Sequence, residues 1–155
     1  MRMKDYRVRK AKLEDIEVLF AFEQGIIEFE RPFDPTLAED PITYYDLKEL
    51  IRSEDAEVVV VEYNSQIVAS GYAKTKQALP YLNHKKYAYL GFMYTAVNFR
   101  GKGLNRLVID SLRLWSASKG LTEIRLTVYD DNNTAIRAYE KVGFKKHLIE
   151  MRITT

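Results

Sequence analysis

The stretch Arg100-Gly101-Lys102-Gly103-Leu104-Asn105-Arg106 constrains this chain more than any other. It lies between a strand-like run, 87–97, and a helix-like run, 104–119. Two glycines at such a junction let the backbone turn tightly and approach a ligand closely. The first-turn amides of a helix, backed by the positive end of its dipole, form a ready site for phosphate. Arg100, Lys102 and Arg106 add positive charge around it. The turn therefore implies a phosphate-bearing cofactor without saying which. It is not a Walker A loop, because no G-K-[ST] follows at the required spacing. It is not G-x-G-x-x-G either, because Arg106 stands where the third glycine belongs.

Composition narrows the partners. A chain of 155 residues, 46% apolar and 30% charged, is expected to form one globular domain, 1–155, with a real core. A net charge of +2 gives no reason to expect nucleic acid. The absence of cysteine removes disulfides, thiolate metal sites and cysteine nucleophiles, and fits a reducing compartment. His84 and His147 are far apart and share no ligand motif, so no metal is expected. No apolar run is long enough to span a bilayer and the N-terminus does not read as a signal peptide, so the expected location is cytoplasmic, without membrane attachment.

Periodicity supplies the element order. A short strand is expected at 5–10 and a helix at 13–29, with Gly25 a point for a bend or break. Residues 28–46 contain Pro32, Pro35 and Pro41 and many acids against the single base Arg31, which predicts an irregular loop with a short helical turn. A second helix is expected at 42–53. Val58-Val59-Val60-Val61 marks a buried strand, and Asn64-Ser65 a turn into a returning strand, 66–76. After the strand 87–97 and the helix 104–119 come an alternating strand, 123–128, a helix, 134–142, and a closing strand, 144–154. The last places His147, Ile149, Met151 and Ile153 on one side. The order β-α-α-β-β-β-α-β-α-β predicts an α/β fold with one mixed, mostly antiparallel sheet and helices on both faces.

Two segments together give the glycine turn a meaning. The first is Met93-Tyr94-Thr95-Ala96-Val97-Asn98-Phe99-Arg100-Gly101-Lys102-Gly103-Leu104-Asn105. The second is Asn132-Asn133-Thr134-Ala135-Ile136-Arg137-Ala138-Tyr139-Glu140-Lys141-Val142-Gly143-Phe144. The chain resembles the GNAT superfamily of acetyl-CoA-dependent N-acetyltransferases. The first segment is similar to its R-G-x-G-[IL]-[GA] cofactor motif, and the second matches N-x-x-A-I-x-x-Y-E-K-x-G-F at every specified position. The resemblance implies acetyl-CoA as co-substrate, with its pyrophosphate on the amides of Gly101, Lys102, Gly103, Leu104, Asn105 and Arg106, beside Arg100. It implies that the backbone of Met93, Tyr94 and Thr95 pairs with the pantetheine arm, that Asn132 hydrogen-bonds that arm, and that Tyr139 serves as general acid beside the sulfur. Asn105 departs from the family's Gly or Ala, and Val97 stands where proline is common.

The general base is left open. Many members of such a family place a Glu on the central strand, and 87–97 contains no acid. The candidates are Glu28, Glu30 and Asp34 from the acidic loop, His84, or a water chain. That loop falls where the family shapes its acceptor site, and its charge fits a cationic small-molecule or peptide amine. Phe29, Phe33, Tyr44 and Tyr45 are candidates for its walls. The expected activity is direct acetyl transfer to a primary amine without a covalent intermediate. The alternatives are a non-catalytic CoA-binding regulatory module and a transferase for another acyl-CoA. Homodimers are common in the resembling family, but no feature of this sequence requires one.

Overall fold

The computed structural model describes residues 2–155. Strand β1 is Tyr6–Lys10, β2 Ala56–Tyr63, β3 Gln66–Gln77, β4 Lys86–Thr95 and β5 Ile124–Arg125. Helix α1 is Ile16–Glu30, α2 Leu47–Arg52, α3 Leu104–Ser118 and α4 Asn133–Val142. The sheet order is β1-β2-β3-β4-β5, antiparallel through β4, with β5 parallel to β4. The β2–β3 hairpin turns at Asn64 and Ser65, both at positive φ as a tight two-residue turn requires.

Each face of the sheet carries its own core, as alternation along the strands demands. Leu19 and Phe22 of α1 and Leu47, Leu50 and Ile51 of α2 close over Val58, Val60, Tyr72 and Phe92. On the other face Leu104, Val108, Ile109 and Leu112 of α3 cover Val59, Val61, Val68, Ala73 and Leu90. The expected two-faced α/β sheet is therefore present.

Three local expectations fail for identifiable reasons. Gly25 does not break α1, which runs through to Glu30. A Cβ at Gly25 would lie 2.8 Å from Cε2 of Tyr94, so the glycine serves a close helix-to-sheet approach. The second helix begins at Leu47 and not at 42. Asp46 caps it, its carboxylate accepting from the Glu49 amide at 3.1 Å. Residues 42–46 stay out of the helix, and the buried carboxylate of Glu23 accepts the amides of Tyr44 and Tyr45 there, at 2.9 and 2.8 Å.

The closing strand is the larger correction. Residues 144–154 join no ladder, and the alternating run 123–128 pairs only at Ile124–Arg125. An alternating pattern forms a strand only where a ladder partner lies beside it, and 144–154 has none among the described residues.

Candidate active site

The site begins with an irregularity in β4. Tyr72 of β3 faces Gly91 and Ser70 faces Tyr94, so Phe92 and Met93 together oppose Gly71. This is a β-bulge, and Phe92 adopts φ +56° to make it. The strain is held by packing. The Phe92 ring is buried 5.5 Å from that of Tyr45, and the Ser70 hydroxyl donates to the Phe92 carbonyl at 3.1 Å. Gly71 leaves room for Val108 and Met93, whose atoms would stand 2.5 and 2.7 Å from a Cβ there.

Before the bulge, Ala88 and Tyr89 of β4 are paired on both sides. The pairing with β5 ends at Tyr89 and Arg125, so Leu90 to Thr95, which includes the bulge, carries no strand on its β5 side. That leaves an open edge able to accept an extended ligand by backbone hydrogen bonds. The edge leads directly into the glycine turn.

At the turn Gly101 and Gly103 have φ of +75° and +81°. Space does not select glycine there: nothing lies within 4 Å of a Cβ at Gly101, and only Met3 Cε, at 3.8 Å, near one at Gly103. The left-handed backbone selects it. Gly103 is the N-cap of α3 and supplies no side-chain cap. Among the described residues, none of the amides from Gly101 to Arg106 donates to a protein acceptor outside the helix. They form a cluster of free donors at the positive end of a helix dipole. Arg100 is fixed beside them, its Nε donating to the Thr95 carbonyl at 3.0 Å. Arg106 reaches back to Asp110 at 3.7 Å. The Asn105 side chain does not cap its helix, and its carbonyl oxygen is buried without a partner among the described residues.

The opposite side of the open edge is assembled from distant segments. Asn132 caps α4, its side-chain oxygen accepting the Ala135 amide at 3.2 Å, and Gly143 ends the helix at φ +116°. Between them Tyr139 packs edge-on to Phe144, 5.9 Å between ring centres. Desolvation first, then the charges of Glu30 and Tyr89, push its phenol up to about 12. Glu30 ends α1. Its burial raises its carboxyl above the usual range, the nearby Tyr44 hydroxyl draws it back down, and the Asp34 charge raises it again. Tyr44 feels the same acid: burial and Glu30 push its phenol upward. No hydrogen bond of good geometry joins the two groups, so the Tyr44 hydroxyl is buried and unpartnered among the described residues.

The other sequence-derived bases sit differently. Asp34 is fully engaged, accepting from the Thr36 hydroxyl and amide, from Arg152 at 3.1 Å and from Tyr129 at 3.2 Å. These donors hold its carboxyl well below the usual range. Glu28 is exposed on α1. His84 lies in the loop before β4, its Nδ1 3.1 Å from Asn83 Oδ1. Its distance from the bulge is most of the length of β4, on the order of 25 Å at the rise of a strand. The rings of Phe29 and Phe33 lie 5.8 Å apart, and Phe33 stacks on Tyr129 at 5.9 Å. Tyr45 instead belongs to the core beneath. Sequence reasoning missed Glu23 and Tyr129. A lone acid on an apolar helix face was the available sign of Glu23; Tyr129 gave none.

The acetyltransferase (GNAT) family model matches residues 22–144. The chain belongs to the GNAT acetyltransferase family. It is thus an acyltransferase. Among curated proteins no sequence match reaches significance. Solved structures agree on the fold of this GNAT protein. A tetramutant of the BH1408 protein of Bacillus halodurans superposes with a TM-score of 0.84 at 21% identity, covering 96% of this chain and 99% of that one. A predicted acetyltransferase of Clostridium acetobutylicum, solved with acetyl-CoA, gives 0.73 at 23% identity over 96% of both chains. Glucosamine-6-phosphate N-acetyltransferase from Arabidopsis thaliana gives 0.67 at 22% identity, over 96% of this chain and 97% of that one. Among the described residues no group of three or more His, Cys, Asp or Glu is placed to hold a metal, and no helix is long and apolar enough to cross a membrane.

Proposed function

We propose that this GNAT protein moves the acetyl group of acetyl-CoA directly to a primary amine of a small molecule or peptide, with Glu30 as base and Tyr139 as acid. What supports the reading is the electrostatic coupling of Tyr139 on α4 to Glu30 at the end of α1 and to Tyr89 at the last β4–β5 pair, next to the strand edge left open from Leu90 to Thr95. The amides of Gly101 to Arg106, with Arg100 and Lys102, fit a pyrophosphate. The open edge at Met93, Tyr94 and Thr95 fits the amide-bearing pantetheine arm, and the free side-chain NH2 of Asn132 can donate to it.

The bound thioester supplies an activated acyl carbon. Glu30 takes a proton from the acceptor ammonium, which frees the nitrogen lone pair to attack that carbon. A backbone amide at the bulge stabilises the oxyanion as C–N bonding proceeds. The C–S bond then breaks, and Tyr139 donates a hydrogen bond to the leaving sulfur. With its phenol near 12 and a thiol near 8.5, complete proton transfer before release is uphill by about 5 kcal/mol. Tyr139 therefore acts mainly as a neutral donor, and the sulfur is protonated as it leaves or afterwards. Asp34 is unsuited to be the base because Thr36, Arg152 and Tyr129 already saturate it. Glu30 and the rings of Phe29 and Phe33 fit an ammonium group carried on a partly apolar body.

Thiol release from acetyl-CoA against polyamines, aminoglycosides, amino acids and peptides tests the reading. The chain has no cysteine, so a thiol reagent gives no protein background. Amine-dependent release with the acetyl group on the acceptor amine supports it. Release without an amine, or acetyl retained on the protein, overturns it.

A further inference from the structure

A polar side chain in a core needs a partner, because an unpaired hydroxyl or carboxylate there is costly. Three polar or charged side chains are buried among the described residues, Glu23, Ser70 and Ser116. Glu23 accepts the amides of Tyr44 and Tyr45. Ser116 donates to the Leu112 carbonyl at 2.8 Å, the ordinary bond of a serine to its own helix. Ser70 has no such local partner. It lies within β3, and its hydroxyl crosses to the next strand, donating to the Phe92 carbonyl at 3.1 Å.

That carbonyl belongs to the strained residue of the bulge. Phe92 has φ +56°, and neither Phe92 nor Met93 has a partner in the β3 register. A strand carbonyl is ordinarily held by its ladder; here the ladder is interrupted, and the serine takes its place. The bond also sets the next group along the chain. The Phe92 carbonyl and the Met93 amide are two ends of one planar trans peptide, so they point in opposite directions. A carbonyl drawn toward Ser70 on β3 turns the Met93 N–H away from β3. That is the side on which Leu90 to Thr95 carries no strand. A hydrogen bond at the carbonyl also polarises the peptide and makes its N–H a better donor. Packing fixes the same peptide from both faces of the sheet: Phe92 lies in the core under α1 and α2, and Met93 against the core under α3.

We propose that Ser70 is a positioning residue for acyl transfer: by holding the Phe92 carbonyl it aims the Met93 amide at the carbonyl oxygen of a thioester lying along the open edge of β4. This role rests on the acetyl-transfer reading and adds to it a residue that touches neither ligand nor reacting atom. As the amine nitrogen bonds to the acyl carbon, the carbonyl π pair moves onto oxygen. The Met93 N–H meets that charge until the pair returns and the C–S bond breaks. Without the Ser70 hydroxyl the Phe92 carbonyl is left unpaired in the core, and the peptide is free to tilt. Removing an oxyanion donor outright costs about 100- to 1,000-fold in kcat, so a donor still present but no longer held is expected to cost about 10-fold.

Infrared difference spectroscopy of acetyl-CoA, isotope-labelled in its carbonyl carbon and bound to the full chain, tests this role. In the wild type the labelled band is expected below its position in free acetyl-CoA, because an aimed donor polarises the bond. In Ser70→Ala it is expected to return most of the way to the free position, with kcat down about 10-fold and the Kd of CoA unchanged. Ser116→Ala removes an equally buried hydroxyl and is expected to leave band, kcat and Kd as they were. Ser70→Cys keeps the volume with only a weak donor and is read in the same way if Ser70→Ala does not fold. A wild-type band at the free position, a Ser70 variant with the wild-type band, a band that Ser116→Ala also moves, or CoA affinity that falls along with kcat would overturn the proposal. The band needs no acceptor amine. Failure of the acceptor reading would show in thiol release and leave the band result standing, whereas an unmoved band beside amine-dependent release would overturn the role of Ser70 alone.

Discussion

The two ends of the proposed active site are built in opposite ways. The cofactor end is contiguous: Met93 to Arg106 supplies the bulge, the open edge, the turn and the helix start within one strand-turn-helix passage. Its geometry is fixed by backbone dihedrals at Phe92, Gly101 and Gly103. The acceptor end is assembled from the end of α1, the turn after it, the segment before α2, the segment after β5, and α4. Its geometry is fixed by side-chain contacts between groups far apart in sequence, such as Tyr129 with Asp34 and Arg152 with Asp34. The first can be altered without moving the second. A local backbone device therefore suits a constant ligand, and a long-range assembly suits a variable one.

Substitutions at each end should separate in their effects. The largest is expected for Glu30→Gln, which should lower kcat/KM about 100-fold with acetyl-CoA affinity unchanged. The wild-type rate should rise with pH, because the base must be deprotonated, and the rise should centre above the ordinary glutamate value of 4.5. Tyr44, Asp34, Tyr45, Tyr129 and Tyr139 face this carboxyl. The variant should lose that acid limb, and a limb that survives would assign the base elsewhere.

Glu23→Ala should act through structure alone. It leaves the Tyr44 and Tyr45 amides without their acceptor and should cost about 2 kcal/mol, seen as a lower urea midpoint. Acceptor KM should rise more than acetyl-CoA KM, since 42–46 lies on the acceptor side. Equal changes in both would blur the division between the ends.

Gly103→Val reverses the test. A Cβ at φ +81° costs about 1–2 kcal/mol, so the turn should reshape and acetyl-CoA affinity fall about 10-fold while acceptor KM holds. Tyr139→Phe should lower kcat by less than about 10-fold, because a phenol held near 12 contributes a hydrogen bond more than a proton. An unchanged kcat in a folded variant would remove its role. The smallest effect belongs to Arg152→Ala. Its side chain is 61% exposed, so stability should change by under about 0.5 kcal/mol by thermal melting.

The sequence by itself determined whatever depends on neighbouring residues. It determined a strand-turn-helix with two glycines at the turn, a helix close to 134–142, and the alternation that divides the sheet into two cores. These are legible because dihedral preference and spacing are local properties. Only the tertiary structure decided that α1 runs unbroken past Gly25, where the Tyr94 ring occupies the missing Cβ's space. It alone brought the Glu30 charge to bear on Tyr139, tied up Asp34, and set His84 in the loop before β4. It also left the alternating tail without a neighbour, since a strand pattern states a face to bury but cannot name the edge that buries it. Contacts across long stretches of chain depend on the summed packing of everything between them, and no short window of sequence contains that sum.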